Sequence, residues 1–130
     1  MIVDSSVLIA ILLQEAESRR LDVALAESGE CLMSAATLLE ASMIMLARKG
    51  PQGARDLDLI VALFRIRIVP FTESQARLAR MAFERYGKGR HPAQLNFGDC
   101  MAYALAKETG EPLLFKGTDF GLTDITPAPY

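Results

Sequence analysis

MIVDSSVLIAILLQ, residues 1–14, carries a single ionisable residue before its end, Asp4. MIVD has the length and composition of a short buried strand, and Ser5 to Leu13 reads as a helix that begins directly behind it. Asp4 therefore ends the first strand. The same alternation continues along the chain. Glu17 to Ser28 reads as a helix with Leu21, Ala24 and Leu25 on one face, stopped by Gly29. CLMS (residues 31–34) is a second strand. Ala35 to Lys49 is a helix ended by Gly50-Pro51, and Ala54 to Arg65 is another, with Leu57, Ile60, Val61 and Phe64 at helical spacing.

IRIVP (66–70) reads as the third strand and Glu73 to Tyr86 as a helix. Gly87 to Leu95 is a loop, Phe97 to Thr109 a helix and PLLF (112–115) the fourth strand. DIT (124–126) is a candidate for a last short strand. Short apolar strands separated by helices imply an α/β fold, in which a short parallel sheet is flanked by helices on both faces. The 130 residues make one domain, with no repeat, low-complexity segment or linker.

Composition narrows the class further. Half of the residues are hydrophobic and 23% are charged, which describes a folded globule. The net charge of −2 does not by itself point to nucleic acid. Acids neutralised by a cation would leave the remaining surface more basic than that sum implies. Cys31 and Cys100 lie far apart with no CxxC pattern, so two ordinary buried thiols in a reducing cytoplasm are expected. No basic segment precedes the first strand, and Ser5 to Leu13 is too short to span a bilayer, so neither a secretory leader nor a membrane anchor is expected.

Four acids stand out against the apolar background. Glu40 is the only charge in CLMSAATLLEASMIMLA and Asp99 the only full charge in PAQLNFGDCMAYALA. Asp119 follows PLLF in the turn KGTDFG. In open parallel sheets, ligands bind outside the carboxyl ends of the strands. Asp4 ends a strand, Asp119 lies just past one, and Glu40 and Asp99 sit in adjoining helices, so all four are expected near one end of the sheet. A carboxylate in apolar surroundings is costly unless it is paired, and four together repel one another. A shared hard cation resolves both problems. Oxygen ligands favour Mg²⁺ or Mn²⁺, and one histidine leaves no zinc set.

Each acid also has a plainer use. Asp4 suits a helix cap, Asp99 suits a capping box with Asn96, and Asp119 suits an ordinary turn. Glu40 is mid-helix, where no cap is required, although exposure or an arginine partner would account for it.

MIVDSSVLIAIL, the lone glutamate of the third helix, LNFGDCMAYALA and LLFKGTDF together resemble the PIN domain, and within it the VapC-type toxins of prokaryotic toxin–antitoxin pairs. The resemblance runs in order along essentially the whole chain. It implies the PIN-like three-layer fold and a Mg²⁺-dependent endoribonuclease restrained by a cognate VapB-type antitoxin, with a homodimer besides. The family's acidic quartet maps onto Asp4, Glu40, Asp99 and Asp119, and its small hydroxyl residue onto Ser6. Thr118 stands where the family often has asparagine.

The residue chemistry is compatible with that implication. Asp4 and Asp99 are the best direct metal ligands, Asp119 is suited to complete the shell or to bind through water, and Glu40 is suited to orient or deprotonate water. Ser6 and Thr118 are suited to hydrogen-bond carboxylates or ordered water behind the ligands. Lys116 is a candidate phosphate contact. Arg77, Arg80, Arg85, Lys88, Arg90 and His91 form a basic stretch that serves either as a solvated face or as an RNA-backbone surface. The first and third helices carry more apolar positions than one core contact needs, which suits a partner helix. Two alternatives share the acid pattern. One is a metal-dependent phosphatase of another α/β class, although the haloacid-dehalogenase-like pattern wants an acid at Ser6. The other is a non-catalytic RNA-binding or interaction module on the same fold.

Overall fold

The computed structural model describes residues 1–130. Strands β1 (Ile2–Val3), β2 (Leu32–Ser34), β3 (Arg67–Val69) and β4 (Leu113–Leu114) form one sheet in the order β3-β2-β1-β4, all parallel. The connections are α1 (Ser5–Leu12) with α2 (Ser18–Glu27), then α3 (Ala35–Leu63), then α4 (Glu73–Tyr86) with α5 (Phe97–Thr109). The last of these passes β2 to place β4 on the other side of β1. The strand order therefore reverses at β1, the position where such sheets open a crevice at their carboxyl ends.

Alternation along the short strands explains the three layers. Ile2, Leu32 and Leu113 join a cluster with Ala82, Tyr103 and Leu105 of α4 and α5. Their neighbours Val3, Met33 and Leu114 point the other way, into a cluster with Leu8, Leu21, Ala41 and Leu57 of α1, α2 and α3. Both faces of β1 are dry, which is why its residues read as a continuous apolar run.

The helix boundaries have local causes. The Asp4 carboxylate accepts from the Ser6 N–H at 3.0 Å and caps α1. Ser34 caps α3 through the Ala36 N–H at 3.2 Å, and Thr72 caps α4 through Gln75. α3 is two arms. Its backbone breaks at Gly50 (φ 65°, ψ −158°), a left-handed φ that favours glycine, and Pro51 opens the second arm. That arm starts at once, not at Ala54 as the pattern implies, because proline suits a first helical position.

The candidate strand at 124–126 does not form. Asp124 is held instead by the Tyr103 hydroxyl at 2.7 Å and the Lys107 ammonium at 2.9 Å. The chain meets the sheet one step later, at Leu113 and Pro127, through the Leu113 N–H to Thr126 O and the Ala128 N–H to Leu113 O. Pro127 and Pro129 lack the N–H that a longer ladder needs. The apolar surplus of α1 is also absorbed. Val7, Leu8 and Ala10 are fully buried, and Ile9, Ile11 and Leu12 pack against the same core. α3 differs, with Met45 buried and Leu39, Met43 and Leu46 exposed. No helix is long and apolar enough to cross a membrane.

Candidate active site

Asp4 lies immediately past β1 and is 3% exposed. One carboxylate oxygen caps α1. The other, Oδ1, is buried with no hydrogen-bond partner. Burial raises the Asp4 pKa to about 6, with a smaller push from Glu40, and hydrogen bonding from Ser6 offsets only part of it. Ser6 also ties the next strand's loop to the site, because its hydroxyl accepts the Lys116 N–H at 3.0 Å.

Asp99 is in the first turn of α5, in a capping box. Its backbone N–H donates to Asn96 Oδ1, and its carboxylate accepts the Asn96 N–H, both at 2.9 Å. The capping role and a site role are thus compatible. The pKa of Asp99 rises to about 7, chiefly by desolvation, with like charge from Asp4, Glu40 and Asp119 adding to it. Of the four acids, Asp99 is thus the one whose pKa is raised by each of the other three, with desolvation the larger cause.

Glu40 is half-buried on the first arm of α3. The Ser5 hydroxyl donates to its Oε1 at 2.5 Å, and its carboxylate lies against the backbone of Gly98 in α5. Asp119 is exposed and opens a short 3₁₀ turn, Asp119–Leu122, beyond β4. Thr118 is exposed, and its side chain makes no bond to that turn. No three of the acids close to the separations of a metal's ligand shell in the protein alone. Glu40 and Asp99 each take a hydrogen bond elsewhere, from Ser5 and from the Asn96 N–H.

The orphaned, buried Oδ1 of Asp4 beside other carboxylates is an all-oxygen donor set short of positive charge. Asp4, Asp99, Asp119 and Glu40 fit a hard divalent cation on that ground. No basic side chain neutralises them. Lys116 is engaged with Glu15 and lies 3.9 Å from Glu17, so it serves an acid pair and not a free phosphate contact.

The basic stretch divides in the structure. Arg77 pairs with Glu73 at 2.8 Å, Arg85 lies over the Tyr86 ring and Arg90 over Phe83. His91 accepts the Ala93 N–H and packs edge-on against Tyr86, a loop-forming role. Two residues near Glu40 were not singled out from the sequence, Ser5 and Gly98. The signal for Gly98 is its position in a first helical turn, where glycine is disfavoured. For Ser5 no local signal exists, because its partner lies 35 residues away.

The PIN domain family matches residues 1–125. Ribonuclease VapC of Mycolicibacterium smegmatis is 46% identical over 125 residues, which cover 96% of this chain and 97% of that protein. Ribonuclease VapC30 of Mycobacterium tuberculosis is likewise 46% identical, covering 96% of this chain and 95% of its own length. Among solved structures, Mycobacterium tuberculosis VapC20, described as a sarcin–ricin loop cleaving toxin, superposes with a TM-score of 0.79 at 18% identity, covering 99% of this chain and 98% of that one. VapBC2 from Rickettsia felis, bound to a DNA fragment from its promoter, gives 0.72 at 16% identity, with 98% and 96% covered. A four-stranded parallel sheet with helices on both faces, a capped acid at the end of its central strand and a match along nearly the whole chain lead to one assignment: this chain belongs to the PIN-domain family, among the VapC ribonucleases.

Proposed function

We propose that this protein is the toxin of a toxin–antitoxin pair, a Mg²⁺-dependent endoribonuclease whose site is Asp4, Glu40, Asp99 and Asp119. The observation that carries the reading is the Asp4 carboxylate, buried and with one oxygen unpartnered, beside acids of like charge. A hard divalent cation bound there supplies activation of water at neutral pH and stabilisation of charge on the phosphoryl oxygens. Asp4 and Asp99 are fixed by the helix caps they form, and so present their free oxygens without much loss of side-chain freedom. In this reading Glu40, whose Oε1 accepts from Ser5, takes a proton from the attacking water. Ser6 steadies Asp4 through its backbone N–H and ties the Lys116 loop to the site through its hydroxyl, and Thr118, exposed beside Asp119, is a candidate to bond ordered water there. Mn²⁺ is an acceptable substitute, since it is also satisfied by oxygen ligands.

The substrate reading rests on the cationic side chains of α4 and its following loop. Arg80, Arg85, Lys88 and Arg90 are exposed, and Arg85 and Arg90 lie against aromatic rings. That surface suits an RNA backbone. The partner reading rests on relatives solved as toxin–antitoxin complexes and on the exposed stripe Leu39, Met43 and Leu46, spaced to receive an apolar helix. A homodimer is proposed on the family resemblance, and an apolar groove of about 470 Å³ between α4 and α5, lined by Phe71, Phe83 and Phe97, is available to it. A reducing cytoplasm is the proposed location.

The test is cleavage of RNA by the purified protein with Mg²⁺, with EDTA, and by Asp4→Asn with Mg²⁺. Cleavage only in the first is expected. Equal cleavage in EDTA would remove the metal from the reaction, and no cleavage of any RNA by the wild type would favour the interaction-module alternative.

A further inference from the structure

We propose that Ser5 and Gly98 are a pair of positioning residues for Glu40, which together hold its carboxylate against the first turn of α5 beside Asp99. This rests on the metal-site reading above and adds two residues to it. Ser5 is the first residue of α1 and is 6% exposed. The cap of α1 is made by Asp4, so the Ser5 hydroxyl is free to reach across to α3, where it donates to Glu40 Oε1 at 2.5 Å. That bond selects one rotamer of a side chain that otherwise has several.

Gly98 supplies the opposite wall. It lies within α5, in ordinary helical backbone, so no turn or left-handed φ explains a glycine there. Space does. A β-carbon at Gly98 would overlap Oε2 and Cδ of Glu40. Without it, the carboxylate rests directly on the amino-terminal turn of a thirteen-residue helix, where the helix dipole favours negative charge. Glycines elsewhere in the chain differ. At Gly53 and Gly87 the obstruction includes main-chain carbonyl oxygens, whereas at Gly98 only the tip of the Glu40 side chain stands in the way. Alanine at 98 therefore leaves the helix intact and displaces Glu40.

Mn²⁺ binding, read by the electron paramagnetic resonance of the free ion, tests the pair apart from turnover. Gly98→Ala and Ser5→Ala, each with a wild-type circular dichroism spectrum, are expected to bind Mn²⁺ about tenfold more weakly, the loss typical when a group that orients a ligand is removed. Ser5→Thr keeps the hydroxyl and should recover most of it. Glu40→Asp weakens binding alone, yet combined with Gly98→Ala it should cost less than the product of the two. The shorter carboxylate clears the new β-carbon. Wild-type affinity in folded Gly98→Ala and Ser5→Ala, or strict additivity in the double variant, would overturn the proposal. If Gly98→Ala does not fold, the contrast between Ser5→Ala and Ser5→Thr decides. Equal Mn²⁺ uptake by wild type and Asp4→Asn would overturn the metal reading itself, and the positioning pair with it.

Discussion

Asp4 and Asp119 follow neighbouring strands of one sheet, β1 and β4, yet their environments are opposite. Asp4 comes directly after Val3 and is almost completely buried, with an orphaned oxygen and a pKa pushed up to about 6. Asp119 comes five residues after Leu114, past the left-handed turn at Gly117 (φ 98°), and stands in solvent. The difference lies in how far each acid is from the last ladder bond. An acid at the strand end is held by the sheet, whereas one on a loop is held only by that loop. The structure thus pairs a buried ligand candidate fixed at a strand end with an exposed one on a loop.

The contrast predicts a graded response. Asp4→Asn should have the largest effect, a loss of Mg²⁺-dependent cleavage on the order of a hundredfold or more, since several kcal/mol of charge stabilisation depend on the cation it anchors. The metal-free variant should be no less stable than wild type, because repulsion is relieved. Single-turnover cleavage and thermal melting in EDTA measure both. A variant that cleaves normally would break the comparison at its stronger end.

pH sharpens it next. Burial raises Asp4 to about 6 and Asp99 to about 7, from an ordinary value of 3.8. The folded, metal-free protein therefore holds protons that the unfolded chain has released. Its stability is greatest below the unfolded value and is lost as pH rises through about 6 to 7. Melting in EDTA should accordingly move several degrees lower between about pH 5 and about pH 8. Metal affinity should run the other way, weakening as pH falls below about 7. Asp4→Asn should flatten both curves.

Asp119→Asn should lose roughly tenfold in cleavage, with melting in EDTA unchanged, because its side chain is already hydrated. A loss as large as that of Asp4→Asn would show that the metal draws the loop into an equally fixed position. The smallest effect is expected from Lys116→Ala. It frees the loop from Glu15 and Glu17, but partly exposed ion pairs contribute little. A slight fall in cleavage without a change in melting is the expected result of kinetics run beside those of Asp119→Asn.

Most of the architecture was legible in the sequence because its signals are local. MIVD, CLMS, IRIVP and PLLF are apolar runs too short for helices, and each lies beside a helix with a readable cap or stop. Gly50-Pro51 marked the break in α3, although not that the second arm resumes at once. The candidate strand at 124–126 does not form, and nothing within DIT itself marks it as loop. Its fate was set by Tyr103 and Lys107, which claim Asp124 from another helix. The apolar surplus of α1 and α3 looked equivalent in sequence. Only packing showed α1 wholly committed to the core and α3 exposing Leu39 and Met43.

The acids divide along the same line. Asp4, Glu40, Asp99 and Asp119 stand out from the sequence alone, because a charge in an apolar run is conspicuous and the strand–helix alternation places each near the carboxyl end of the sheet. Their inequality does not. Which acid is buried, which oxygen lacks a partner and which lysine is already paired depend on elements distant in the chain. Ser5 meets Glu40 across 35 residues, and Gly98 makes room for it from a third element. Desolvation and steric fit are properties of assembled surfaces, and no window of sequence contains them.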